Sequence, residues 1–442
     1  MKTSLRPISS LLLGVAFLLA GNGLQFTLLP LRGGSEGFSS LALGVIGSAY
    51  YLGFVGGCLF GPYVILRAGH IRAFSGMVAL AAAVGLAYAL APVPSAWTGL
   101  RLVNGFCLAG FYLVVESWLN DHASNETRGR VMSAYVIVIF GATVLGQMLV
   151  ILYPIEQAGN FMVAAMLSSL AIVPVALTRS AQPAPITIVS FRPTQLYRAA
   201  PVALVASFMV GIANGAFWVL GPVSAADSGL SVNQVVLFMS IAALAGALVQ
   251  WPAGRLSDII DRRLVLIALL TGAAVTGFAL WLVAASGILL IAFGFMFGAL
   301  ALPGYALAAA HAYDKTPVSD MVPTAATILL ANALGSMIGP IPASAFMSAQ
   351  GPQALFLFAA ITQALLAGFV FYRVRVQASL TPTEKTDFDL ATTAPVGAVV
   401  TADAPDPNDP SVAVPDLYVP QAAETGQPAN ARNEDEGKCE TP

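Results

Sequence analysis

Charge is what this 442-residue chain has least of: Lys, Arg, Asp and Glu make up 10% of it, against about 25% in a soluble domain. So few charges cannot cover a water-facing surface, which excludes an ordinary soluble fold. Cysteine is as scarce. Cys58 and Cys107 lie inside apolar runs and Cys439 lies near the C-terminus, which excludes a disulfide framework. There are three histidines, no phosphate-cradling loop, no His and Glu metal pair and no serine nucleophile elbow, so neither an ATP site nor enzyme chemistry is in view. No cofactor or metal is expected. A net charge of -2 argues against a nucleic-acid partner.

What the chain has in abundance is apolar length. Hydrophobic residues make up 57% and the mean hydropathy is +0.79. Runs long enough to cross about 30 Å of hydrocarbon fall at 8–30, 41–66, 73–91, 97–118, 131–153, 161–177, 201–220, 232–253, 264–284, 287–311, 323–347 and 354–372. The expected fold is an all-α polytopic membrane protein whose first run is an uncleaved span, because it continues past Gly23 with no small-residue cleavage site. With the N-terminus in the cytoplasm, only Arg32 and Arg101 of the 20 Lys and Arg residues fall on the far side. This positive-inside pattern predicts two cytoplasmic termini and a bacterial inner-membrane location. From 381 onward Pro, Asp, Glu, Thr and Asn replace the apolar runs, and the tail 376–442 reads as disordered.

Comparing the two halves exposes a repeat at an offset near 193. Asn22-Gly23 with Pro30 returns as Asn214-Gly215 with Pro222, Gly61 as Gly254, Asp121 as Asp314, and Gly146 as Gly339. Two six-helix bundles are predicted, 1–178 and 199–375, joined by a cytoplasmic linker at 179–198. A binding site is expected between them near mid-membrane.

Within the fourth run, Arg101, Asn104, Tyr112 and Glu116 fall within about 60° of one line down a helix, the polar face of an otherwise apolar segment. Glu116 is the one carboxylate inside an apolar run. It is either a structural ion pair with a loop cation such as Arg67 or Arg130, or a proton-exchanging group. Arg101, about 22 Å away along the axis, either snorkels to the interface or holds an anionic group. His311 is a neutral helix histidine or a titrating partner; Glu116, Arg101 and His311 are the candidates for proton coupling, and Asn104 and Tyr112 are candidates for the substrate cavity. Asn22 and Gln25 in the first run, and Asn214, Phe217 and Trp218 in the seventh, share faces at helical spacing; they are candidates to line a substrate cavity or to pack in the core.

GRLSDIIDRR at 254–263 resembles the cytoplasmic loop signature of the major facilitator superfamily, and GPYVILRAGHIR at 61–72 is its counterpart, with Gly61, Arg67, Gly69 and Arg72 but no acid. Arg101 with Gly105 resembles the family's fourth-span signature, and GSMIGP at 335–340 resembles its Gly-rich bend. GHIRAF at 69–74, ESWLND at 116–121 and PGYALAAAHAYD at 303–314 are similar to the YcaD-like subgroup. The resemblance implies twelve helices in the major facilitator fold, and a cytoplasmic gate at Gly254, Arg255, Asp258, Arg262, Arg263, Arg67 and Arg72. Asp258 is expected to pair with Arg262 or with a neighbouring helix.

The resulting expectation is a secondary active transporter working by alternating access. Its partners would be a small organic substrate, a coupling proton and the lipid bilayer, with a monomer as the default. The rival is a non-transporting sensor or scaffold acting through the tail.

Overall fold

The computed structural model describes residues 5–122, 128–177, 190–282 and 287–377, with Lys385 and Phe388. The rest of the tail, and 179–189 of the linker, lie outside the described residues. Twelve helices are long and apolar enough to cross a membrane: Ile8–Ser35, Ser40–Ala68, His70–Leu90, Pro94–His122, Gly129–Leu152, Gly159–Ala176, Pro201–Asp227, Val232–Ile259, Arg262–Leu282, Gly287–Asp314, Met321–Gln350 and Ala354–Val376. They are named below as first to twelfth spans. No strand occurs among the described residues, and the molecule is a multi-pass membrane protein.

Several spans exceed their apolar runs because polar residues at their ends cap rather than break them. Ser39 accepts the Ala42 N–H at 3.2 Å, and Ser231 forms a capping box with Gln234 ahead of the eighth span, satisfying amides that a helix start leaves orphaned. Gly69, at φ +82°, takes the turn between the second and third spans in a conformation that disfavours a side chain. Pro303 divides the tenth span between Ala301 and Gly304, and Pro340 divides the eleventh after Ile338, since proline cannot donate to the preceding turn. A short helix, Pro193–Ala199, occupies the end of the linker and buries Leu196 against Ala203, Ala309, Tyr313 and Ile328.

The sequence repeat is a repeat of contacts. In the first half, the first span packs on the fifth, where a side chain on Gly146 would strike the Ala20 carbonyl and one on Gly23 would strike that of Thr143. In the second half, the seventh span packs on the eleventh, where Gly339 meets the Ile212 carbonyl and Gly215 meets Ser336. Close helix approach demands glycine at both places. The bundles meet through the second and eleventh spans and through the fifth and eighth, a pairing that maps onto itself when the halves are exchanged.

One apolar cluster joins the bundles. It unites Leu24, Leu28, Leu43, Ile46 and Trp97 with Phe217, Val219, Leu220 and Val223, at the ends of the spans nearest Arg32. Further in, Val55 touches Leu330 and Ala333. Toward the opposite ends, the first bundle buries Phe74, Val114, Val115 and Leu119 in a cluster that also takes in Leu329 of the eleventh span, and the second buries Leu266, Leu270 and Leu307 in another.

Candidate functional site

The fourth span carries its predicted polar face inward: Arg101 is 3%, Asn104 4%, Tyr112 7% and Glu116 0% exposed. That face is packed, not water-lined. The span reaches this depth because Gly53 and Gly105 let the second and fourth spans touch backbone to backbone, Gly53 against the Leu102 carbonyl and Gly105 against that of Tyr50.

Arg101 does not snorkel. Its guanidinium lies beside the edge-to-face pair of Phe26 and Tyr50, Cζ 5.0 Å from the centroid of each, and its Nε and Nη1 have no hydrogen-bond partner. One turn on, Asn104 Nδ2 donates to Gln25 Oε1 at 3.2 Å. Asn22, Gln25 and Asn104 line a cleft with Ser168, Met77 and Phe111, inside the first bundle. Gln25 thus finds its polar partner within its own bundle.

Glu116 takes a partner that the sequence reading missed. Tyr135 on the fifth span donates to Glu116 Oε1 at 3.0 Å, and Asn120 Nδ2 caps the Glu116 carbonyl at 2.9 Å. Arg67 and Arg130, the expected loop cations, are exposed. Tyr112 packs edge-on against Phe54 with centroids 6.3 Å apart. Nothing in the sequence marks Tyr135 among the 12 tyrosines, since its meeting with Glu116 depends on how two spans cross.

In the second bundle, Phe217 is 1% exposed and stacks with Phe238 and Phe297 at 6.2 and 5.3 Å. It packs in the apolar cluster that joins the two bundles. Asn214 and Trp218 are half-buried, and Asn214 Oδ1 has no hydrogen-bond partner.

His311 is far from both groups. It lines a small pocket with Asp261, Arg262, Arg263, Asp314, Lys315 and Lys385. The candidate proton set therefore divides: Glu116 with Tyr135, Arg101 among aromatics, and His311 in the charge cluster at the ends of the eighth to tenth spans.

That cluster is the loop signature folded. Arg262 pairs with Asp258 at 3.0 Å, as expected, and also grips Asp314 through Nε at 2.6 Å and Nη2 at 3.2 Å. The Arg262 and Asp314 side chains are each 1% exposed. Arg262 Nη1 donates to Ser257 Oγ at 2.8 Å. Beside them Arg263 pairs with Asp261 at 2.7 Å and donates to the Gln377 carbonyl. Burial pushes the Asp261 carboxyl up, but the hydrogen bonds and charge of Arg263 outweigh it and hold the group below its ordinary value.

Three predicted gate residues stay outside. Arg255 lies over Trp251 at 5.7 Å, and Arg67 and Arg72 are exposed; 61–72 has no acid, and none of the ion pairs among the described residues includes either arginine. Gly254 is instead covered by the Phe388 ring. Phe388 N–H donates to both Asp258 oxygens at 3.1 and 3.2 Å, and Lys385 Nζ donates to the Ile260 carbonyl at 2.7 Å.

The family model described as Major Facilitator Superfamily matches residues 203–415. The MFS-type transporter YcaD of Shigella flexneri serotype 5b is 30% identical over 375 residues, 81% of this chain and 94% of that protein. YcaD of Escherichia coli O7:K1 is 29% identical over the same shares. Among solved structures, a point mutant of the nucleoside transporter NupG matches with a TM-score of 0.72 at 13% identity, over 83% of this chain and all of that one. An inward-facing, occupied bacterial homologue of the human lysosomal transporter Spinster matches with a TM-score of 0.64 at 16% identity, over 86% and 97%.

Proposed function

Since the chain belongs to the major facilitator superfamily of membrane transporters, in its YcaD-like branch, we propose that it moves a small organic solute by alternating access, driven by a proton gradient. The observation that carries this reading is the Glu116–Tyr135 pair, the one acid within an apolar stretch, held at full burial beside a hydroxyl. A carboxyl in such surroundings can be neutral or charged at modest cost as water reaches it or leaves.

Alternating access is supported by the paired repeats, which meet through the second and eleventh and the fifth and eighth spans and share the apolar seam around Phe217 and Trp97. Two rigid repeats can rock about such a seam. The distribution of Lys and Arg supports cytoplasmic termini in a bacterial inner membrane.

The test is a thermal-shift screen of the purified chain against a library of organic metabolites and drugs at two pH values. Hits are then added to proteoliposomes carrying a pH-sensitive dye. Solute-dependent proton movement in wild type that is lost in Glu116→Gln is the expected result. Gradient-driven flux that survives Glu116→Gln unchanged would overturn the coupling assignment.

A further inference from the structure

Arg101 is the least explained charge in the membrane portion of the molecule. A guanidinium stays protonated at any working pH, and a buried charge is costly unless it is paired. Arg101 is 3% exposed, yet none of the ion pairs among the described residues includes it. Phe26 and Tyr50, themselves an edge-to-face pair with centroids 5.0 Å apart, both lie beside it, which helps a cation but does not answer its N–H groups. Nε and Nη1 point nowhere within hydrogen-bond reach. Arg262 provides the contrast inside the same chain: equally buried, it is satisfied by Asp258, Asp314 and Ser257.

The surroundings rule out the two ordinary roles of such an arginine. Snorkelling would bring the head group to water, and it is buried. A structural ion pair would need an acid, and none stands within 4.0 Å among the described residues. The side chain starts on the fourth span but ends beside rings of the first and second, and those two spans meet the second bundle. Tyr51, partly buried, and Trp218 of the seventh span both pack on the seam between the bundles.

We infer that Arg101 is the anchor for an anionic group on the transported solute, so that the cargo is a small organic anion with an apolar body. The inference rests on the transporter reading above. The oxyanion takes the free guanidinium donors, a planar group well matched to carboxylate or phosphate oxygens, and the apolar body lies against Phe26, Tyr50 and Tyr51. A neutral amide offers the guanidinium one uncharged carbonyl oxygen in place of two charged ones and leaves the buried charge unpaired, so discrimination against it should be large.

The experiment uses the full chain in detergent with matched probes: benzoate against benzamide, hexanoate against hexanamide, and phenyl phosphate as the phosphate arm. The carboxylates should raise the melting temperature and the amides should not, with the phosphate arm deciding which oxyanion fits. Arg101→Gln should weaken anion binding at least tenfold. The Arg101→Gln and Arg101→Met chains should melt no lower than wild type without ligand, a result that a structural arginine would not give. Equal response to acid and amide, or an anion response preserved in Arg101→Gln, overturns the inference. Neutral solutes moved in proteoliposomes at wild-type rates by Arg101→Gln would overturn it while leaving the transporter reading intact. A chain that binds and moves no member of either the probe set or the wider library overturns both.

Discussion

The Tyr135 hydroxyl donates to Glu116 Oε1 at 3.0 Å, from the fifth span to the fourth, with both side chains fully buried. A hydrogen bond to an ionised carboxyl is worth about 1.5 kcal/mol or more, close to a factor of ten in rate. Tyr135→Phe should therefore slow gradient-driven flux about tenfold, while Glu116→Gln abolishes it. Flux equal to wild type in Tyr135→Phe would reduce the contact to packing.

Asp314 and Asp121 occupy equivalent repeat positions in unlike surroundings. Asp314 is 1% exposed on Arg262, whereas Asp121 is 40% exposed beside His122. Asp314→Asn removes the buried carboxylate that Arg262 grips through two nitrogens, leaving it the Asp258 pair, and should cost about 3 kcal/mol. Asp121→Asn should change stability by no more than about 0.5 kcal/mol. Melting temperatures of the two variants in one detergent check the difference, and similar values would show that the Arg262 pair is not a structural clamp.

Glycine at the contact of the second and fourth spans is a steric requirement. Gly105→Ala drives a methyl group into the Tyr50 carbonyl and should destabilise by about 1–3 kcal/mol. Gly141 has nothing within 4 Å of an added methyl group, so Gly141→Ala should be neutral or stabilise by up to about 1 kcal/mol. Urea titration or thermal unfolding of the pair reads both.

The Asp261 carboxyl, held down by Arg263, gives stability a defined pH dependence. A depressed carboxyl contributes fully above the ordinary value of about 3.9 and loses that contribution as pH falls through its lower folded value. The melting difference between wild type and Asp261→Asn should thus be constant from about pH 8 to about pH 5 and shrink below about pH 4. A difference that already declines between about pH 7 and about pH 5 would contradict the Arg263 pairing.

Phe388 is 7% exposed and packs on Ala306 and Ala310. A single cysteine at Ala310, in a chain lacking the three native ones, should react slowly with a water-soluble maleimide. Truncation after Gln377 should speed labelling severalfold. Equal rates would mean that Phe388 does not cover this surface in solution. If the truncated chain transports its solute as wild type does, the scaffold reading of the tail falls with it.

The span count, the membrane class, the repeat and the loop signature were legible because each is a one-dimensional property. Apolar length must match the bilayer, and a duplicated gene leaves matched glycines such as Gly146 and Gly339. Asp258 with Arg262 was legible for the same reason, since four residues bring two side chains together on any helix. Helical spacing also correctly grouped Arg101, Asn104, Tyr112 and Glu116, but it could not say what faces them. Whether Glu116 meets Arg67 or Tyr135, whether Gln25 turns to the seam or to Asn104, and whether Arg262 keeps Asp258 alone or also Asp314 depends on interhelical contacts. In sequence those partners lie 19, 79 and 52 residues apart. Spacing along one helix fixes which side chains travel together; only the crossing of separate helices, set by where glycines such as Gly53 and Gly105 let backbones touch, decides which partner each one finds.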